Sequence, residues 1–336
     1  MDFRVDDVQR ELAHGIRSFV EGRLPLDKLR ACEGDEHAIA SGDWVALGET
    51  GVFALTLPEP EGTGLGLADA VVVFEELGRA LVPGPLVGTF LAAGAGVAPG
   101  AAEGRAQVGV HCAGRPGPVL VEHLGSLDAL LVLAPDAPAQ VVSPAPVGGA
   151  RRVEHPLDPL TPLWRLDAVP FGGALADHDG RLWSDGALLT AALQVGHAVA
   201  ALDMAVAYAK ERHQFGKPIG SFQAVKHVCA DMLVRAEVAR AAVHAAACLA
   251  DAADVARDEA ETAGCSPRQL RVRSVAGAKL LSDEAALANA RASIQVHGGM
   301  GFTWEVPLHL HLKRARVLST SFGTPAELSA DLAAYA

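Results

Sequence analysis

Apolar positions keep helical spacing at both ends of this chain and lose it in the middle. Val8, Leu12, Ile16, Phe19 and Val20 recur at steps of three and four residues, which predicts an amphipathic helix near the start. A shorter helix around Trp44, Leu47, Val52 and Phe53 closes at the Glu49-Thr50-Gly51 turn. Leu57 to Gly64 is interrupted by prolines and glycines and reads as a loop. Ala68 to Ala80 then fits a helix with Leu67, Val71, Phe74 and Leu77 on one face, stopped by Val82-Pro83-Gly84-Pro85. For most of these side chains core packing is a sufficient explanation.

From about Gly100 to Trp183 the texture changes. Gln107–Val110, Val119–Val121, Ala129–Leu133 and Ala139–Val142 are short apolar runs between Gly- and Pro-rich turns, the pattern of a small β domain. Leu182-Trp183-Ser184-Asp185-Gly186 reads as a turn leading into a long Ala/Leu/Val-rich helix from about Ala187 to near Phe215. Gly216, Pro218 and Gly220 break that helix, and a second begins after Ser221, an available N-cap. Val225, Val228, Met232 and Leu233 start one stripe; Leu270, Val272, Ala276, Leu280, Leu281 and Leu287 make another, across a loop expected at Asp254 to Arg273. The fold class that follows is mainly α with a small central β domain. Its divisions are an N-terminal helical domain (1–100), a small degenerate β domain (101–183) and a C-terminal helical bundle (184–336).

With 336 residues the chain can bury a large core. No uninterrupted apolar run is long enough to suggest a membrane span, and the acidic start does not resemble a signal peptide. Five cysteines, Cys32, Cys112, Cys229, Cys248 and Cys265, are odd in number and far apart, so a reduced, cytoplasmic protein is expected. A formal net charge of −12 argues against a nucleic-acid partner but leaves room for one nucleotide held by a local arginine.

The corner Arg212-His213-Gln214-Phe215-Gly216-Lys217-Pro218-Ile219-Gly220 places an arginine at the end of one helix and Gln223 at the start of the next. Such a corner suits a phosphate-bearing ligand, with a planar fork of donors and free helix N–H groups. Taken alone, Arg212 is better explained as a cation favoured at a helix C-terminus. The whole stretch R-x-Q-F-G-x-P-I-G-x-F-Q-A-V-K-H resembles the signature corner of the acyl-CoA dehydrogenase family. Gln295-Val296-His297-Gly298-Gly299-Met300-Gly301-Phe302-Thr303-Trp304-Glu305 resembles that family's Q-x-H-G-G-x-G-F-T-W-E loop. The resemblance extends through the first ninety or so residues and fades in the middle. It implies the family's helix–strand–helix architecture, with the helix at Ala68 to Ala80 lining an acyl pocket, and FAD as cofactor across a subunit interface. By motif position Arg212, Gln214, Phe215 and Gln223 would contact pyrophosphate and adenosine. Gln295, Gly298 and Gly299 would receive the adenine and ribose side, adjacent glycines letting backbone N–H groups come close.

The departures from the family pattern matter as much. Neither the T-E-P-x-x-G-S-D nor the W-I-T/S-N type segment that holds the flavin ring is present, and Glu122-His123-Leu124-Gly125 and Leu163-Trp164-Arg165 are poor substitutes. Family members abstract the α-proton of an acyl-CoA with a tuned carboxylate. Its usual position, in a Y-E-G-T sequence, is here Ser321-Phe322-Gly323-Thr324, so Phe322 stands where the Glu is expected. The alternative position near the start of the long helix falls at about Gly186 to Leu188, with no carboxylate after Asp185. No catalytic residue is therefore assigned.

The chain resembles the base-less subunit of actinobacterial heterotetrameric acyl-CoA dehydrogenases. That implies a Glu-containing partner subunit, an acyl-CoA substrate such as a steroid side-chain CoA, and an electron-transfer flavoprotein-like acceptor. Two alternatives remain open. One is a homo-oligomeric dehydrogenase with a displaced base, for which Asp185, Glu305 and Glu327 are the nearest carboxylates. The other is a base-free relative, such as a flavin monooxygenase or a cofactor-free scaffold. His309 and His311 are two apart on a helix and face away from one another, so no metal site is expected.

Overall fold

A computed structural model describes residues 3–114, 117–135, 137–143, 149–169, 172–175, 177, 180–255 and 266–334. Helix α1 (Asp7–Arg23) starts at a capping box: Asp6 accepts from the Gln9 N–H (2.9 Å), and the Gln9 side chain accepts from the Asp6 N–H (3.1 Å). Ile16 and Val20 are buried as expected, but Val8 is 52% exposed. Gln9 takes the inward position instead, because its amide bonds Asp69 (3.1 Å) and His244 (3.2 Å). After α2 (Leu26–Arg30) and α3 (Ser41–Glu49) come α4 (Leu67–Arg79) and α5 (Leu86–Ala95). Val71, Phe74 and Leu77 on α4 are buried, and Phe74 meets Phe90 of α5 edge-on at 5.4 Å.

Helix α6 (Arg181–Glu211) is the axle of the molecule, packed by α4, α5, α7 (Gln223–Val255), α8 (Pro267–His297) and α9 (Leu308–Leu318). Its crossing with α4 leaves no room for side chains. A Cβ on Gly78 would lie 2.2 Å from the Leu193 carbonyl oxygen, and one on Gly196 2.1 Å from that of Glu75. By length and composition α6 could cross a bilayer, yet 72% of its most apolar window is buried inside this chain.

Three boundaries differ from expectation. Leu182 to Gly186 is already helical, α6 starting after Gly180, with Asp177 accepting from the Leu182 N–H (3.1 Å). Ser221 closes a short 3-10 turn (Ile219–Ser221) and does not cap α7. The loop expected at Asp254 to Arg273 is narrower, since α7 reaches Val255 and α8 starts at Pro267 behind a Ser266–Gln269 capping box; Gly264 and Cys265 lie outside the described residues.

The inner face of α8 is also not the leucine stripe. Leu270 and Leu281 are each 40% exposed, and Lys279, Asp283 and Asn289 point inward. They are tolerated because each is partnered. Lys279 pairs with Asp283 (2.5 Å) and donates to the Leu318 carbonyl at the end of α9 (3.1 Å). Gln194 donates to Asp283 (2.8 Å), and Asn289 to the Ala198 and Met232 carbonyls.

The middle of the chain forms two small sheets. One has the order β1-β3-β4-β7, with β1 (Val108–Cys112) parallel to β3 (Ala129–Ala134), and β4 (Ala137–Val142) antiparallel to β3 and to β7 (Gly173–Ala174). The other, β2-β6-β5, pairs β2 (Val119–Glu122) with β6 (Leu163–Leu166), and β6 with β5 (Arg151–Arg152). Strand β6 alternates buried Trp164 and Leu166 around exposed Arg165, a period of two too brief to stand out in sequence. Helix α10 (Pro325–Ala334) ends the fold.

Candidate cofactor-contact surface and the filled base site

Beyond Glu211 the chain turns back on itself. Strands β8 (His213–Gln214) and β9 (Lys217–Pro218) make a hairpin whose two turn residues, Phe215 and Gly216, both have positive φ (53° and 79°). That is the mirror-type turn that suits a tight two-residue hairpin. The Ile219 N–H donates to the Arg212 carbonyl (2.8 Å) and locks the corner. Phe215 is 91% exposed at the tip, edge-on to Phe222 at 6.1 Å. Arg212, Gln214 and Gln223 are exposed beside it, and the Arg212 guanidinium forms no ion pair among the described residues.

The second motif lies next to the first. His297 at the end of α8 stacks on Tyr208 of α6, ring centroids 4.2 Å apart, and its Nδ1–H donates to the Ser293 carbonyl (2.8 Å). Burial lowers the His297 pKa, so the stacked ring is neutral. Arg212 follows Tyr208 by one helical turn and Gly298 follows His297 directly, so the stack brings the two motifs to one end of the bundle. Gln295, Gly298 and Gly299 are exposed, and a Cβ on either glycine would meet nothing within 4 Å. Phe302 is 82% exposed. Trp304 is fixed by its indole N–H to Glu33 (3.2 Å), by Arg30 to its carbonyl (2.8 Å) and by Lys313 4.5 Å above its ring.

The two places where a catalytic carboxylate is expected prove to be one place in space. Phe322, only 3% exposed, lays its ring against Gly186: a Cβ there would lie 2.2 Å from Phe322 Cε1 and 2.3 Å from Cζ. Trp183 flanks the ring edge-on at 5.5 Å, and the Phe322 N–H donates to Cys112 Sγ (3.3 Å). Phe322 holds a φ of 54°, a costly conformation for a large side chain that the surrounding packing must enforce.

Two of the three substitute carboxylates are engaged elsewhere. Asp185 pairs with Arg271, which also binds Ser184 (3.0 Å) and Asp254 (3.2 Å); burial nonetheless pushes the Asp185 carboxyl up. Glu327 caps α10 by accepting from the Thr324 N–H (2.7 Å) and hydroxyl (2.9 Å). Glu305 is exposed.

Behind Phe322 a cavity of about 590 Å³ opens between the small sheets and the helices. Val87, Val110, Leu163 and Leu193 line it, with Glu122 and His197 among its polar groups. Burial pushes the Glu122 carboxyl up to about 7, Arg314 opposing, and drives His197 well below its usual range. His197 Nδ1 lies 3.0 Å from His311 Nδ1, beside the buried Arg314–Asp158 pair. Sequence reasoning passed over Glu122 as a poor motif match. Its one signal is a carboxylate at the end of an apolar strand.

Comparison with known proteins agrees with this architecture. The model of the acyl-CoA dehydrogenase N-terminal domain matches residues 6–107 and that of the C-terminal domain residues 183–334. The chain is 35% identical over 333 residues to the acyl-CoA dehydrogenase IpdE2 of Mycolicibacterium smegmatis, covering 95% of this chain and 96% of that one. The chain belongs to the acyl-CoA dehydrogenase family. Among solved structures, this acyl-CoA dehydrogenase superposes on the Tcur3481-Tcur3483 steroid ACAD G363A variant with a TM-score of 0.81 at 26% identity, over 99% of this chain and 98% of that one. It superposes on the ChsE4-ChsE5 complex from Mycobacterium tuberculosis with a TM-score of 0.77 at 23% identity, over 99% and 98%. FAD is the cofactor of the acyl-CoA dehydrogenase family, and a further neighbour of the fold, PigA, was solved as an FAD complex. An unpaired arginine, two glycines facing open space and exposed aromatic faces fit the anionic, adenosine-bearing half of such a molecule.

Proposed function

We propose that this chain is the base-less subunit of a heterotetrameric, cytoplasmic acyl-CoA dehydrogenase and completes the FAD site of a Glu-containing partner subunit. The reaction is α,β-desaturation of a bulky acyl-CoA thioester, for which a steroid side-chain CoA is the candidate, with electrons passing to an electron-transfer flavoprotein-like acceptor. Bound FAD would supply the acceptor for the β-hydride, and the α-proton would go to the partner's carboxylate. This chain's part is to hold the ADP half: Arg212 against pyrophosphate, Gln214, Phe215 and Gln223 around it, and Gln295, Gly298 and Gly299 toward the adenine and ribose. The observation that carries the reading is the Phe322 ring packed on Gly186, which fills both positions where the family keeps its base while the Arg212 corner stays exposed and unpaired. The commitments of Asp185 to Arg271 and of Glu327 to the cap of α10 weigh against a displaced base.

The test is the visible absorption spectrum of the chain purified alone and after co-expression with a Glu-containing dehydrogenase chain. The expected result is a colourless single chain and a yellow, larger, active complex. Arg212→Ala should lower the flavin content of the complex without separating the subunits. A single chain that holds stoichiometric flavin and reduces it with an acyl-CoA would refute the proposal.

A further inference from the structure

The cavity behind Phe322 is more than residual space. Its volume of about 590 Å³ falls within the ~300–1,000 Å³ of small-molecule pockets. Its walls are largely apolar, and two leucines that line it are exposed, Leu120 (43%) and Leu157 (54%). Glu122 sits in the wall on β2, and its carboxylate accepts no hydrogen bond and makes no ion pair among the described residues. Of the other charged groups in the wall, Arg314 is paired with Asp158 and donates to the Val82 and Leu160 carbonyls, while Arg316 is exposed.

From this geometry we infer that the cavity is a binding site for an uncharged, ring-sized apolar molecule bearing a hydroxyl, which donates its hydrogen bond to Glu122. An anion would face the Glu122 carboxylate. A cation would face Arg314 and Arg316, and it would lose hydration to apolar walls. A neutral donor satisfies the Glu122 carboxylate and buries its rings against Val87, Val110, Leu163 and Leu193. This site belongs to the chain alone, whether or not the chain assembles with a partner. Its failure is therefore distinct from failure of the shared-flavin proposal.

The probe is 1-naphthol, with 1-methoxynaphthalene as the same ring without a donor, titrated into the full chain at pH 8 by fluorescence. Saturable binding of 1-naphthol, about tenfold tighter than 1-methoxynaphthalene, is expected because a hydrogen bond to a charged acceptor is worth at least that ratio. Glu122→Gln should bring the two ligands within about twofold, and Val87→Trp should abolish binding of both by occupying the cavity, with circular dichroism confirming the fold. Equal affinity of the two ligands for the unmodified chain would overturn the inference, a result that needs no variant. So would an undiminished preference in Glu122→Gln, or displacement of 1-naphthol by micromolar FAD, which would mark the cavity as a flavin site.

Discussion

Replacing Gly186 by alanine sets two effects of opposite sign against each other. In a helix interior alanine is favoured over glycine by about 1 kcal/mol, so on propensity alone the change stabilises. Here the new methyl would lie 2.2 Å from Phe322 Cε1, about 1.3 Å inside the ~3.5 Å at which two carbons are in comfortable contact. The ring has little freedom to retreat. Trp183 stands against it at 5.5 Å, and the backbone beneath is held by the Phe322 N–H to Cys112 Sγ. Overpacking of this kind costs about 1–3 kcal/mol, so after the propensity gain a net loss of up to about 2 kcal/mol is expected, seen as a fall of up to a few degrees in Tm. The decisive experiment is the double-mutant cycle with Phe322→Leu, followed by thermal unfolding. In the Phe322→Leu background Gly186→Ala should become neutral or stabilising, giving a coupling of about 1–3 kcal/mol. Additive effects, or a Gly186→Ala chain more stable than its parent, would show that the ring does not occupy this place.

The remaining predictions concern buried charge. Lys279→Met should destabilise by about 3–5 kcal/mol because Asp283 is left buried without its cation, and Lys279→Met/Asp283→Leu should recover most of the loss in a thermal melt. Glu122, held near 7 against 4.5 in a free chain, keeps a proton in the native state that the unfolded state has released. Stability should therefore fall by roughly 3 kcal/mol as pH rises from about 4.5 to about 7, and Glu122→Gln should flatten that slope in urea titrations across the range. His123 and His311, pushed down to about 3 by burial, have the opposite sign: the unfolded chain binds protons first, so stability falls as pH drops below about 6.5. His123→Asn, which keeps a residue tolerant of the positive φ of 58°, should lessen that acid slope in the same titrations.

Much of this architecture was legible in the residues. The helix–strand–helix order, the first four strands and the broken corner after Glu211 all follow from punctuation by Gly and Pro and from period changes. The start of α6 was not, because a helix buried on nearly all sides has no polar face to mark its first turn, and Leu182 to Gly186 looks like any polar-tinged junction. Nor was the inner face of α8, where Lys279, Asp283 and Asn289 break the rule that polar residues face water, each through a partner at least 39 residues away: Leu318, Gln194, Met232. The motif residues could be named from the sequence. That Phe322 and Gly186, 136 positions apart by subtraction, touch could not, since nothing local couples them.

The Tyr208–His297 stack has a kinetic consequence. Two flat rings pressed face to face between the ends of two 31-residue helices leave the hairpin tip and the glycine turn few ways to rearrange. A surface held so before encounter gives up little conformational freedom on docking, and freedom not lost is affinity gained. Assembly onto this end of the bundle should resemble the meeting of two rigid bodies, with association limited by collision and orientation and no slow ordering step behind it.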